Sequence, residues 1–206
     1  MKKFLKTLGL LMSIPFALTA CEPGTLTSKE EFAKAAAKVE EQEAKSFTSI
    51  EVKYEFKSSA SGYYKELLGE DANSSENGQL VFTFRSNSWV ANKNANNDEI
   101  NDVVEEILDV KASVYAREVE AEYAGKVKYY VNPLGVGVES SASQNASGVT
   151  VSSKLEMRCV FNDFGLVSSE RVEMKTSSKG SVKNGTTTVN MNGDWNLFVK
   201  CEFSYK

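Results

Sequence analysis

Between Trp195 and Tyr205 apolar and polar residues alternate without a break. Trp195, Leu197, Val199, Cys201, Phe203 and Tyr205 fall on one side; Asn196, Phe198, Lys200, Glu202 and Ser204 fall on the other. Side chains of an extended chain point to opposite faces in turn, so the pattern predicts a strand with one apolar and one wet face. Ile50, Val52, Tyr54 and Phe56 alternate in the same way with Glu51, Lys53, Glu55 and Lys57. Leu80, Phe82 and Phe84 alternate with Val81, Thr83 and Arg85 in a strand that continues toward Trp89.

Further strands are predicted over Val127–Val131, from Leu134 through Val136 to Val138, and over Leu166–Met174. A long strand from Val149 to Phe161 carries Val149, Val151, Leu155, Met157, Cys159 and Phe161 on one face. Turn signals divide these segments: Asn132-Pro133, Asn162-Asp163-Phe164-Gly165, Thr176–Gly180 and Asn184-Gly185. Strands in succession with short turns pair antiparallel. Strands of about ten residues are longer than usual and favour a curved sheet, a barrel or half-barrel. The Ser-, Gly- and Asn-rich stretches 58–79 and 139–148 read as loops, the first holding Tyr63, Tyr64, Leu67 and Leu68 at helical spacing, as either a short helix packed on the core or a partly exposed apolar lip.

Two helices are expected. Ser28-Lys29-Glu30-Glu31 has the form of a capping box, opening a helix to about Lys45 with Phe32, Ala35, Ala36 and Val39 on its thin apolar side. A second, about 97–117, carries Ile100, Val103, Val104, Ile107, Leu108, Val114 and Tyr115 as one stripe broken by Lys111. The fold class is therefore α+β: a long curved antiparallel sheet, half-barrel or open barrel, with an N-terminal helix and an amphipathic covering helix.

Charge and chemistry narrow the function. The chain has 206 residues, with 24 basic and 28 acidic side chains, and no histidine. No basic stripe suited to a phosphate backbone is present, so nucleic acid is not an expected partner. Without histidine there is neither the commonest general base nor the commonest zinc ligand. No phosphate-binding glycine loop or Ser-x-x-Lys spacing occurs. The acidic face at Asp98, Glu99, Asp102, Glu105, Glu106 and Asp109 reads as a solvated helix face, since it lacks the glycine-turned spacing of a calcium loop. The chain is expected to be non-enzymatic, with no cofactor and no metal.

The first residues specify an address. Lys2 and Lys3 precede an apolar run from Leu8 to Leu18, too short for a membrane span and interrupted by Pro15. Leu18-Thr19-Ala20-Cys21 resembles the bacterial lipobox. The resemblance implies cleavage between Ala20 and Cys21, lipid attachment (palmitate among the acyl groups) at Cys21, and residence on the outer side of the cell membrane or on an outer membrane. Residues 1–20 would then be a removed signal peptide, 21–27 the lipidated cysteine and a short tether, and 28–206 a single β-rich domain. Cys159 and Cys201 remain as an even pair, which fits either a disulfide or two buried thiols.

The inward set Tyr54, Phe56, Phe82, Phe84, Ile107, Phe161, Trp195 and Phe203 can line an apolar pocket under the second helix or simply fill the core. A tethered N-terminal helix, a long curved antiparallel sheet and a covering amphipathic helix resemble the lipoprotein-carrier superfamily, including lipid-binding lipoproteins of mycobacteria. That resemblance, one of order and pattern over residues 28–206, implies a hollow that holds acyl chains. Two functions are expected: an anchored extracytoplasmic protein binding an apolar ligand, as the resemblance implies, or, from a different class, a surface interaction lipoprotein with a filled core acting through its polar loops 58–79 and 139–148.

Overall fold

The computed structural model describes residues 24–40, 47–85, 88–91 and 110–206. Ten strands build the fold: β1 (Leu26–Thr27), β2 (Ser49–Ala60), β3 (Asn73–Arg85), β4 (Ser88–Ala91), β5 (Val127–Val131), β6 (Leu134–Ala146), β7 (Val149–Phe161), β8 (Val167–Asn184), β9 (Thr187–Asn190) and β10 (Gly193–Tyr205). Among the described residues three helices accompany them: α1 (Lys29–Glu40), α2 (Gly62–Leu68) and α3 (Ala112–Glu122). The sheet is antiparallel and open, in the order β1-β5-β6-β7-β8-β10-β2-β3-β4, with β9 paired to β8. It is long and curved, and it does not close into a barrel: β1 and β4 are its two ends.

The alternation read in the sequence sets the register. Phe203 lies opposite Val52 and Val52 opposite Leu80; Val199 lies opposite Val172 and Val172 opposite Met157. One face thus collects Ile50, Val52, Leu80, Phe82, Val136, Val138, Met157, Phe161, Val172, Leu197, Val199 and Phe203 into a core. Helices α1 and α3 supply Phe32, Ala36, Tyr115, Ala116 and Val119 to it. Fully burying one such aliphatic or aromatic side chain contributes about 1.5–3 kcal/mol, so this face dominates the stability.

The helices are fixed by contacts at their ends. The Ser28 hydroxyl accepts the Glu31 N–H at 3.2 Å, as a capping box requires. The Glu31 carboxylate, however, takes the Thr27 hydroxyl. Lys29 pairs with Glu120, tying α1 to α3. Glu40, at the end of α1, caps α3: its carboxylate accepts from Ser113 N at 2.9 Å and from Ser113 Oγ at 2.8 Å. A carboxylate at a helix N-terminus satisfies orphan N–H groups and complements the helix dipole.

Several expectations need correction. Stretch 58–79 is not a loop: it completes β2, forms α2 and a 3₁₀ turn over Gly69–Ala72, and begins β3. Stretch 139–148 is mostly strand, with Ser147 and Gly148 making the turn between β6 and β7. No turn occurs at Thr176–Gly180, where β8 runs straight through. The expected helix 97–117 is interrupted: at Lys111 the chain is extended and bridges Leu166, and α3 starts at Ala112 and reaches Glu122. Lys111 donates its ammonium to Phe164 O at 3.2 Å, which holds that break in place. Positions 97–109, Ile107 among them, lie outside the described residues, as do 41–45 of the first helix. Of residues 24–27, read as tether, Leu26 and Thr27 form β1 and pair with Tyr130 and Tyr129, and Thr25 N–H donates to Asn132 O.

Candidate functional site

The core face changes character along its strands. At one end of the strands it is closed: Ile50, Val52, Phe82, Val136 and Cys159 are at most 1 % exposed. Farther along, Phe56, Leu155, Met174 and Trp195 are only partly buried against the same cluster. Leu155 and Met174 are cross-strand neighbours, Met174 lies opposite Leu197, and Phe56 opposite Val199. They form a half-buried apolar strip with Trp195 at its far side. Trp195 Nε1 donates to the Ser58 hydroxyl at 3.1 Å, and its ring lies 6.4 Å from that of Tyr64 on α2. Beyond the strip the face becomes hydroxyl-bearing, with Ser153 and Thr176 in contact at 3.3 Å.

The predicted inward residues divide accordingly. Tyr54, Phe82, Phe161 and Phe203 are core, Tyr54 also donating its hydroxyl to Glu76 at 3.0 Å. Phe56 and Trp195 belong to the half-buried strip. Ile107, the Phe84 side chain, Ala20 and Cys21 lie outside the described residues.

Cys159 and Cys201 share the core face but are both free thiols. Glu170 stands between them, opposite Cys159 on one side and Cys201 on the other. Two strand spacings, roughly 10 Å, separate the cysteines, beyond the reach of a disulfide. Glu170 itself is 1 % exposed, and Cys159 Sγ donates to its Oε1 at 3.7 Å. Burial, and then the nearby carboxylate, push both thiols up. Tyr115, from α3, faces the same group; burial drives its phenol well above its ordinary value, with Cys159 and Glu170 adding to the effect. Among the described residues the Tyr115 hydroxyl reaches no partner at full hydrogen-bond geometry. Among the described residues no three such ligands converge on one point.

The phase of β8 held the signal for Glu170: with Val172 and Met174 facing inward, position 170 must face inward too.

The outer face is organised by charge. Lys128, Gly137, Arg158, Arg171 and Lys200 are in register across five neighbouring strands. The next row holds Glu139, Glu156 and Glu173, and the row after it Lys154 and Lys175. Like charges thus sit side by side across strands, which is unfavourable. Opposite charges pair mostly along strands: Lys154–Glu156, Arg171–Glu173 and Lys200–Glu202, with Lys128–Glu139 crossing at 2.7 Å. Two open clefts lie over these rows. One, of about 810 Å³, is lined by Ser141, Ser143, Ser152, Lys154, Lys175 and Asp194 among others; its neighbour, of about 480 Å³, includes Lys57, Glu173 and Phe198. Arg158 is the exception within its row, being 6 % exposed. Sequence phase alone places it on the wet face; its burial arises from Tyr130 and Gly24, which are distant in the chain.

Neither a scan of protein-family models nor a comparison with curated proteins finds a match to this chain.

Proposed function

We propose that this protein is a lipid-anchored, extracytoplasmic, non-catalytic protein that holds an apolar ligand, an acyl chain in the first instance, against the inward face of its open sheet. The observation that carries the proposal is the half-buried strip of Phe56, Leu155, Met174 and Trp195, continuous with the packed core. Apolar surface left partly open on the concave side of a sheet, beside a few polar groups such as Ser58 and the Tyr64 hydroxyl, has the composition of a small-molecule site. Anchoring follows from Leu18 to Cys21, and two or more acyl chains suffice for stable membrane attachment. The likeness in element order to the lipoprotein-carrier superfamily supports the same reading.

Trp195 reports on the strip. In a Trp89→Phe background, titration with a long-chain fatty acid is expected to shift Trp195 emission to the blue, saturably, and native mass spectra of acylated and non-acylated protein should show co-purifying lipid. Unchanged emission together with lipid-free spectra would sink the proposal. Partition of a Cys21→Ala variant with membranes, undiminished, would sink the anchor.

A second reading has its own support. The serine-lined outer clefts, crossed by alternating charge rows, suit a polar macromolecular partner, with the core merely structural. Under that reading, substitutions at Lys154 and Lys175 abolish partner capture while Phe56→Ala and Met174→Ala leave it intact.

A further inference from the structure

Among the described residues, one cation of the outer face is buried without a counter-ion. Lys128, Arg171 and Lys200, its row-mates, each hold a carboxylate: Glu139, Glu173 and Glu202. Arg158 holds none among the described residues, and Glu156, two residues before it, is engaged by Lys154. The guanidinium is stacked on Tyr130, its Cζ 4.0 Å from the ring centroid. That contact occupies one flat face and leaves the N–H groups unanswered. Nε and Nη2 are both buried and have no hydrogen-bond partner among the described residues. These two nitrogens make up one edge of the guanidinium, and their N–H bonds run parallel. Such an edge matches two oxygens of one phosphate or carboxylate. A desolvated, unpaired cation is a large penalty that a ring face only partly offsets.

We propose that the Nε/Nη2 edge of Arg158 binds a phosphate group, and that in the cell this is the headgroup of a membrane phospholipid. The choice of source rests on chain geometry and on the anchor reading above. Gly24 lies directly against Nη2. Cys21 is three residues earlier, and three extended residues span at most about 11 Å. Acylation at Cys21 therefore holds Arg158 at headgroup depth. Entry needs only a small displacement at Gly24, since this end of the chain is held by few bonds, Thr25 N–H to Asn132 O at 3.1 Å and Val131 N–H to Thr25 O at 3.4 Å.

The test uses the full acylated protein in a phosphate-free non-ionic detergent. Its thermal midpoint is followed with dihexanoylphosphatidylglycerol, with dihexanoylglycerol (which lacks the phosphate), and with inorganic phosphate. A ligand that binds only the folded protein raises the midpoint. The phospholipid is expected to raise it saturably in the wild type. Half-saturation should require roughly tenfold more lipid in Arg158→Lys, which keeps the charge and loses the edge, and Arg158→Gln should show no saturable shift. If Arg158→Gln does not fold, Arg158→Lys carries the comparison. Equal phospholipid shifts in wild type and variants overturn the site. Inorganic phosphate reproducing the whole Arg158-dependent shift overturns the lipid source. A Glu22→Gln variant as destabilised as Arg158→Gln, with no further loss in the double variant, assigns the edge to the chain's own carboxylate and also overturns the proposal. Short-chain lipid binds without an anchor, so failure of the Cys21 reading shows separately, as loss of membrane partition dependence on Cys21.

Discussion

Gly24 and Arg158 pack so closely that a methyl group on Gly24 would overlap the Arg158 Nη2 atom. The same methyl would stand 2.9 Å from Tyr130 Cδ1. A side chain at position 24 must therefore lift the chain off β5 or push the arginine from its ring. Gly24→Ala is expected to destabilise the domain by about 1–3 kcal/mol, the usual cost of forced overpacking. Urea denaturation measures it; a variant as stable as the wild type shows that the segment is not seated there.

Tyr115→Phe should do the reverse. Among the described residues the Tyr115 hydroxyl is buried with no partner at full hydrogen-bond geometry, and it faces the Glu170 carboxylate and the Cys159 thiol, which raise its pKa further. Deleting it removes an unmet polar group and keeps the edge-on ring contact with Phe161, centroids 5.4 Å apart. An unsatisfied buried polar group costs about 1–3 kcal/mol. Equal or greater stability is expected in thermal or urea unfolding, and a clear loss would mean that the hydroxyl is bonded.

The two core thiols should stay silent until the protein opens. Cys159 is fully buried, Cys201 half-buried, and both are held in the neutral form, which is the unreactive one. With Ellman's reagent at pH 8, neither should label faster than the chain unfolds. In denaturant without reductant both should label. A mass lower by two hydrogens in the non-reduced protein would contradict the geometry.

Alkaline pH should weaken the fold in a defined window. Burial, with Glu120 and Glu122 nearby, raises Tyr129 and Tyr123 to about 12, and Tyr115 also lies high. Unfolded tyrosine ionises near 10. Between about pH 10 and 12 the folded chain keeps phenolic protons that the unfolded chain has lost. The stabilisation is therefore complete below pH 10 and disappears as pH climbs through 12. Urea midpoints at pH 9, 10 and 11 should fall in that order, and tyrosinate absorbance should show a late-titrating group of phenols. Tyr129→Phe should flatten the fall.

The middle of this fold could be read from the chain because it obeys one rule. Where one sheet face is packed into the core and the other is wet, apolar and polar residues alternate, as along Ile50–Lys57 and Leu155–Cys159. Past the helices both faces meet water or hydroxyls, and the alternation disappears. Ser58, Ser74, Ser153, Thr176 and Ser178 are inward residues of strands, yet in sequence they look like turns. This is why 58–79, 139–148 and 176–180 read as loops and turns in the sequence although the chain is largely extended there. The break at Lys111 was hidden for another reason: it depends on Glu40 and Phe164, which only the tertiary fold brings near. Arg158 and Glu170 show the same limit at the level of single side chains. Phase tells which face a residue is on; what covers that face comes from elsewhere in the chain.

The pairing of β1 with β5 has a mechanical meaning. Two residue pairs hold the N-terminal end of the domain to the edge of its sheet. A load applied at Cys21 pulls on that edge one pair at a time, as in unzipping, and does not shear a long strand. With β1 seated, the leash between Cys21 and Gly24 is at most about 11 Å; once β1 peels away to Ser28 it reaches roughly 25 Å. Pulling on a handle at residue 21 should give a small first extension of about 14 Å, well before the sheet yields. Under the anchoring proposed at Cys21, such a domain would ride close to the membrane at rest and lengthen its own tether under strain.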